Sequence, residues 1–325
     1  MDKVKVGFIG CGGIAQYHFG HFDKMRDKAQ IVAACDLQEE RAKATADRFQ
    51  AKAYLDYKQM LSKEKLDALF VCVQPGAHDG MEMLAIEKGI PMFVQKPMTL
   101  DMAYAKKVLA GLKKKKLPSA VGLQCRYCDS VDIAKRWADT HDIGVISGHR
   151  LGGMPKVWWW RVMEQSGGQA VEQTIHDFDL LRYIFGEVTS VSSVRRRGLM
   201  TDVENYNVDD ASSTVLTFKS GAIGTFSTGC FGSGAHDINA YAPDSRLLYT
   251  IFGNYKITEP NRTIEGKASN DYGQECTETF IDVVRGALPI DEVLSPYADA
   301  MKTLALVFAI NKSMDNDGAP VTPSI

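Results

Sequence analysis

Four groups of residues in this 325-residue chain have types and spacings that can do chemistry. The first is a glycine-rich turn, Gly10-Cys11-Gly12-Gly13-Ile14-Ala15, which fits the pattern G-x-G-x-x-G/A. Gly10 permits a tight turn, Gly12 lets the backbone approach a pyrophosphate, and Ala15 is small enough for close packing. A helix opening at this turn offers N–H groups to the phosphate. The second is Asp36, which can accept from both adenine-ribose hydroxyls and repel a 2′-phosphate; NAD is therefore expected rather than NADP. The third is Gln95-Lys96-Pro97, an ammonium group at the end of a strand-like run. The fourth is Glu172, His176 and Asp179, whose spacings of four and three put them on one face of a helix. A histidine between carboxylates can be held in one tautomer and serve as a general base near neutral pH. Plainer readings compete. Lys96 alone reads as a surface lysine, and Asp179 alone as a partner for Arg182 or Arg196. The fourth group lacks a second histidine, so no metal site is expected.

The elements that must position these groups are readable from periodicity. The first ~120 residues alternate short apolar runs with helical patterns, the signature of βαβ units in a parallel sheet covered by helices. Strands are expected at residues 4–9, 31–35, 68–73, 92–94 and 119–123, and helices at 14–25, 38–49, 79–88 and 101–115. The glycine turn then joins the first strand to the first helix, Asp36 ends the second strand, and Lys96 follows the fourth. Ligands sit at such carboxyl ends of parallel strands. Beyond residue ~145 the texture changes. Strands are expected at 158–162, 188–194, 211–218, 222–228 and 247–252, and helices at 130–140, 172–185, 276–285 and 296–314. Lys219-Ser220-Gly221 suggests a hairpin. The fold class is thus an α/β N-terminal domain with a parallel sheet, residues 1–122, followed by an α+β domain with a mostly antiparallel sheet, residues 123–325.

Composition narrows the function classes. Hydrophobic residues make up 45% and charged residues 24%, which excludes disorder as the dominant state. A net charge of −2 supplies no basic face for nucleic acid. The basic run at 113–116 reads as a solvated helix end, and that at 195–197 as a charged strand edge. Among seven cysteines, Cys11, Cys35 and Cys72 read as buried free thiols of a reduced compartment. If 120–127 is a strand, Cys125 and Cys128 point to opposite faces and cannot chelate or pair. The first strand starts at residue 4, leaving no room for a signal peptide. No apolar run approaches the ~20 residues that cross a bilayer. A soluble, cytoplasmic protein without nucleic-acid or membrane partners is expected.

Taken in order, these residues resemble the Gfo/Idh/MocA oxidoreductases, the relatives of glucose–fructose oxidoreductase and inositol dehydrogenase. Pro75-Gly76-Ala77-His78, Val208-Asp209-Asp210 and Ser295-Pro296-Tyr297-Ala298-Asp299-Ala300 extend the resemblance over nearly the whole chain. It implies a Rossmann domain and a C-terminal domain whose open sheet packs against another subunit in a homodimer or homotetramer. It implies reversible hydride transfer between NAD and a hydroxyl carbon of a sugar, polyol or related carbohydrate. The catalytic residues so implied are Lys96, His176 and Glu172. The implied cofactor contacts are Gly10, Gly12, Gly13, Ile14, Asp36, Gln74, Pro75, His78, Gln95, Lys96 and Gln124. The implied substrate contacts are Arg126, Trp160, Glu172, His176 and Asp179. His176 would take the hydroxyl proton, Lys96 would stabilise charge on that oxygen, and Glu172 would orient His176 or bind a neighbouring hydroxyl.

Two positions depart from the family pattern: Gln95 replaces a glutamate and Glu172 an aspartate. Some assignments stay open. Arg126 reads equally as half of a structural ion pair. The triplet Trp158-Trp159-Trp160 reads as a sugar platform, as sheet core or as a subunit interface. His18, His236 and Tyr241 are candidates for the pocket, whereas His21, His141 and His149 read as surface or structural. The alternative activity is a closed redox cycle through a transient keto-sugar, ending in glycoside cleavage or epimerisation. A nucleotide-sensing regulator on the same fold would need neither Lys96 nor His176.

Overall fold

Apolar runs of four to six residues, each followed by a turn and an amphipathic helix, build a sheet buried on both faces. The computed structural model describes residues 2–232 and 234–325. The chain divides into two units, Met1–Gln124 with Asp271–Ala300, and Cys125–Asn270 with Met301–Ile325. The first unit is therefore not one continuous stretch of chain; residues beyond 270 return to it.

In the first unit the order is β1 (Val4–Ile9), α1 (Gly13–Lys24), β2 (Ala29–Cys35), α2 (Glu39–Phe49), β3 (Lys52–Tyr54), α3 (Tyr57–Lys63), β4 (Ala68–Val71), α4 (Met81–Glu87), β5 (Met92–Val94), α5 (Met102–Lys115) and β6 (Ser119–Val121). The strands form a six-stranded, all-parallel sheet in the order β3-β2-β1-β4-β5-β6. This is a Rossmann-type α/β sheet. Register stacks aromatic rings across it: Phe8 pairs with Phe70 and Phe70 with Phe93. Their ring centroids are 4.9 and 4.8 Å apart. Phe19 and Phe22 of α1 cover Phe8 edge-on. Such pairs contribute about 0.5–1.5 kcal/mol each beyond area burial. The two expectations missed here are β3 and α3, the latter capped by Asp56, which accepts from Lys58 N.

The second unit runs α6 (Asp129–Thr140), β7 (Val145–Leu151), α7 (Met163–Ser166), α8 (Gly168–Glu172), α9 (Ile175–Phe185), β8 (Val188–Arg196), β9 (Ala211–Phe218), β10 (Ile223–Gly229), β11 (His236–Ala242), β12 (Ser245–Thr250), β13 (Tyr255–Glu259) and β14 (Arg262–Gly266). Its eight strands form one open sheet, β14-β13-β12-β11-β7-β10-β9-β8, antiparallel except for the β7–β10 pair. Along β9 buried and exposed residues alternate, so one face is covered and the other faces solvent. Phe178 of α9 meets Phe226 of β10 on the covered face, centroids 5.2 Å apart. The arginines at the end of β8 lie on an edge strand, as expected.

Three expectations are corrected. Residues 158–162 form a 3-10 turn, Trp158–Arg161, not a strand. The helix expected over 172–185 is two helices, because α8 ends at Glu172 and α9 begins at Ile175. The last strand of the parallel sheet stops at Val121, and Gln124–Tyr127 is a 3-10 turn, so Cys125 and Cys128 are not on a strand. Strands β7, β11, β13 and β14 lie outside the runs singled out by apolar content.

After residue 270 come α10 (Tyr272–Val284) and α11 (Tyr297–Asp315). Phe280 of α10 meets Phe70 and Phe93 at 5.7 and 5.8 Å, completing the aromatic core of the first unit. The Ile290–Asp315 stretch is long and apolar enough to cross a bilayer by composition alone, contrary to the expectation from sequence. Of its apolar 18-residue window 67% is buried inside the fold, the pattern of a core helix.

Candidate active site

The glycine-rich turn and Asp36 lie together at the carboxyl ends of β1 and β2. Gly10 has φ +88°, and a Cβ there would lie 2.4 Å from the Cys72 carbonyl oxygen, so a side chain is excluded on both counts. Gly12 is the N-cap of α1 and supplies no capping side chain. Nothing lies within 4 Å of a Cβ built on Gly13, and Ile14 beside it is exposed. Space is therefore open beside Gly13 at the first turn of α1, whose first N–H groups have no partner within the helix. Asp36 Oδ2 accepts from Cys11 N and Oδ1 from Gln38 N, both at 2.8 Å, which fixes the carboxylate beside the turn. Each oxygen retains capacity for a ribose hydroxyl. Arg41 belongs to the same group and escaped the sequence reading. Its Nη1 lies 3.7 Å from a Cβ built on Gly12, so a guanidinium reaches the phosphate turn from α2. The available signal was an arginine five residues beyond Asp36. Turn, carboxylate and guanidinium together fit a dinucleotide.

Not every expected cofactor contact is placed this way. Gln74 and Pro75 open the 3-10 turn Pro75–Ala77 after β4, and Pro75 is buried. His78 is turned inward: its side chain is 1% exposed, and Nδ1 bonds the buried Glu82 carboxylate. Tyr104 Oη donates to the other oxygen of Glu82 at 2.6 Å. His78 Nδ1 is thus held by Glu82, while its Nε2 is buried and, among the described residues, bonds nothing. Gln124 is half-buried at the start of its 3-10 turn.

Lys96 is half-buried immediately after β5 and precedes a cis peptide to Pro97. Gln95, buried, is held by two bonds: its Oε1 accepts from Lys96 N at 3.1 Å and its Nε2 donates to His18 Nε2 at 2.6 Å. Gly122 leaves room for it, since a Cβ there would lie 2.5 Å from Gln95 Oε1. His18 Nδ1 and His21 Nδ1 both meet Thr277 Oγ1, at 3.1 and 2.8 Å. Thr277 donates its hydroxyl hydrogen to Gly273 O, so both Nδ1 atoms carry hydrogen and His18 Nε2 is a bare acceptor. A glutamine suits that neutral ring, whereas a glutamate would not. This is the physical sense of the departure at position 95, and it makes His18 and His21 structural.

Burial, with His21 adding to it, pushes His18 down to about 3. Burial pushes His21 down to about 4, with Asp271 opposing and Lys24 assisting. Unfolded, both would titrate near 6.5. Between the folded and unfolded values the unfolded chain binds protons that the folded chain does not, so stability falls as pH falls below about 6.5. Urea denaturation at pH 7.0 and 5.0 should show a loss of about 1–2 kcal/mol per histidine. Equal stability at the two values would mean that these rings are not held neutral.

In the second unit Glu172 ends α8, buried, and His176 lies half-buried in the first turn of α9. Two glycines at positive φ, Gly167 (+75°) and Gly168 (+82°), separate α7 from α8, and Gln173 and Thr174 separate α8 from α9. The expected substrate contacts Arg126 and Asp179 bind each other. Arg126 Nε and Nη2 donate to Asp179 Oδ2 and Oδ1 at 2.7 and 2.5 Å, Thr303 Oγ1 donates to Oδ1 at 2.6 Å, and both side chains of the ion pair are 1% exposed. Trp160 is 0% exposed, packed with Val208 and Cys230 and flanked by Tyr206 and Met163. It cannot offer a face to a sugar; the exposed indole is Trp158. His236 Nε2 donates to Asp177 Oδ1 at 2.8 Å. Burial pushes the Asp177 carboxyl up, with His236 and Arg150 opposing. Arg150 and Asp177 were not among the residues singled out by sequence. All seven cysteines are free and buried, and among the described residues no cluster of histidine, cysteine and carboxylates is arranged to hold a metal ion.

Comparison with known proteins bears on the family and the fold. Residues 4–123 match the oxidoreductase family with an NAD-binding Rossmann fold, and residues 135–254 match the GFO/IDH/MocA C-terminal domain. The chain is 29% identical over 244 residues to the scyllo-inositol 2-dehydrogenase (NAD(+)) of Bacillus subtilis, covering 73% of this chain and 70% of that one. It is 29% identical over 229 residues to the myo-inositol 2-dehydrogenase of Thermotoga maritima, covering 68% and 67%. The WlbA dehydrogenase of Bordetella pertussis, solved with NADH and UDP-GlcNAcA, superposes with a TM-score of 0.85 at 20% identity, covering all of both chains. A glycine cradle beside Asp36, an all-parallel sheet with a lysine at the end of β5, and two family models spanning both sheets lead to one statement: the chain belongs to the GFO/IDH/MocA oxidoreductases and uses NAD.

Proposed function

We propose that this chain is an NAD-dependent dehydrogenase acting reversibly on a hydroxyl carbon of a sugar or polyol. The observation that carries the reading is the cradle of Gly10, Gly12, Asp36 and Arg41 on the sheet whose β5 leads into Gln95 and Lys96. The inositol dehydrogenases among its relatives supply the substrate class. Gly10, Gly12 and Gly13 would hold the pyrophosphate, and Asp36 the adenine ribose. Bound NAD supplies the hydride acceptor. His176 takes the substrate hydroxyl proton, and Lys96 holds the same oxygen and stabilises the charge that develops on it. Glu172 orients His176 or binds a neighbouring hydroxyl. Gln95, pinned by His18, fixes the backbone from which Lys96 projects.

The test is absorbance at 340 nm with NAD and a panel of inositols, aldoses, pentoses, sugar acids and glycosides. NADH formation with one group of substrates is the expected result. Consumption of a glycoside without net NADH would overturn net oxidation. A cytoplasmic location is supported by seven free cysteines, which a reducing compartment preserves. We further propose that the solvent face of the eight-stranded sheet packs against a second copy of the chain. Val145, Val215, Ile223 and Tyr241 are 45%, 50%, 54% and 39% exposed on the strands β7, β9, β10 and β11. Light scattering should give at least a dimer mass, and a monomer at micromolar concentration would refute the packing.

A further inference from the structure

The covered face of the eight-stranded sheet carries a polar row in which, among the described residues, a buried nitrogen of the middle member, Arg150 Nη1, bonds nothing. Register aligns Thr228 of β10, Arg150 of β7 and His236 of β11 across three adjacent strands. Directly paired residues share a face. The two outer members are each tied to a helix lying on that face. Thr228 Oγ1 donates to Gln169 Oε1 of α8 at 2.5 Å, and His236 Nε2 donates to Asp177 Oδ1 of α9 at 2.8 Å. Arg150 stands between them. Its Nη1 is buried and, among the described residues, bonds nothing; the same holds for Gln169 Nε2 and for Asp177 Oδ2. The Asp177 side chain is 2% exposed, whereas that of His236 is 26% exposed, so the row opens to solvent at one end.

Buried polar atoms left unmatched in this way call for a partner. The set here is two N–H donors and one carboxylate oxygen. A hydroxyl both accepts and donates, so a pair of neighbouring hydroxyls can satisfy all three. A carboxylate ligand would satisfy Arg150 and Gln169 but would face Asp177 Oδ2, with Glu172 also within electrostatic range of Arg150. We propose that Arg150, Gln169 and Asp177 form a substrate subsite that takes vicinal hydroxyls of an uncharged sugar or polyol and rejects a sugar acid. Asp177 adjoins His176 in the chain, which ties the subsite to the proposed base. The assignment rests on the dehydrogenase reading above for its substrate class. Thr228 and His236 hold the helix groups in place, and Asp177 carries the discrimination.

The experiment measures binding rather than turnover alone. NADH-saturated wild-type protein, Arg150→Met and Asp177→Asn are titrated calorimetrically with myo-inositol, D-glucose and D-xylose, and with D-glucuronate and D-galacturonate. Wild-type protein should bind at least one neutral probe about tenfold or more tightly than either acid. Arg150→Met should weaken that neutral probe about tenfold or more, the loss typical of a charged hydrogen bond. Asp177→Asn, nearly isosteric and still able to accept from His236, should narrow the discrimination against the acids about tenfold. A purely structural role would not move that ratio. Tighter binding of an acid by the wild type, no binding of any probe, or an unchanged ratio in folded Asp177→Asn would each overturn the subsite. The expected binding pattern without NADH formation from any substrate would instead leave the subsite standing and refute the dehydrogenase reading.

Discussion

Replacing Lys96 by methionine is expected to lower kcat about a thousandfold while NAD affinity stays within a few-fold. The length and the apolar stem of the side chain are kept, and only the ammonium is lost. If that ammonium stabilises charge developing on the substrate oxygen, the loss falls on the transition state and not on the nucleotide. Removing one preorganised electrostatic donor typically costs 10² to 10³ in kcat, and here the donor is also the only side-chain cation assigned to the reacting oxygen. Gln95 and its bonds to His18 and to Lys96 N do not depend on the ammonium, so the local backbone should be unchanged. Fluorescence titration with NADH and steady-state kinetics with the substrate found in the panel give the two readouts. Weak loss of turnover with strong loss of NADH binding would move Lys96 from the chemistry to the cofactor. Lys96→Arg offers a finer measure: it restores charge but not the position of a compact ammonium, and should recover only part of kcat.

What could be read from sequence, and what could not, divides by how local the information is. The turn from Gly10 to Ala15 and the carboxylate at Asp36 were legible because each function depends on a few consecutive residues at the end of an apolar run. Helix α5 was legible because Asp101 caps it, accepting from Ala103 N and Tyr104 N. The edge strand β3 is three residues long and lacks an apolar pattern, and it exists because β2 offers it a ladder. The triplet at 158–160 has strand-like propensity, but Trp160 is claimed by a small cluster with Val208 and Cys230, and the backbone turns to deliver it there. Glu172, His176 and Asp179 fit a single helical face by spacing, yet the helix breaks between Glu172 and Ile175 and separates the first from the other two. Arg150 was invisible for a different reason. Its neighbours in the row, Thr228 and His236, lie 78 and 86 positions away, and only the pairing of β7 with β10 and β11 makes them adjacent.

Arg126 is the residue at which the two kinds of information conflict most directly, and its replacement should separate them. With Arg126→Met the fold is expected to lose about 3–5 kcal/mol, because Asp179 would remain buried with its bidentate partner gone and Thr303 still donating to Oδ1. The pair is bidentate and 1% exposed on both sides, so solvent cannot take over the lost bonds. The guanidinium also lies 4.8 Å from the centre of the Tyr183 ring, a contact that methionine would replace only in part. A substrate contact at Arg126 would behave otherwise: KM would rise and the urea midpoint would hardly move. The double replacement Arg126→Met with Asp179→Leu decides whether the damage comes from the missing arginine or from the stranded carboxylate. Removing both charges should recover part of the lost stability, since the uncompensated buried charge disappears with them. Urea midpoints of the three proteins, read with KM of the single variant, test this. A single variant as stable as the wild type would show that Asp179 finds other compensation in the core.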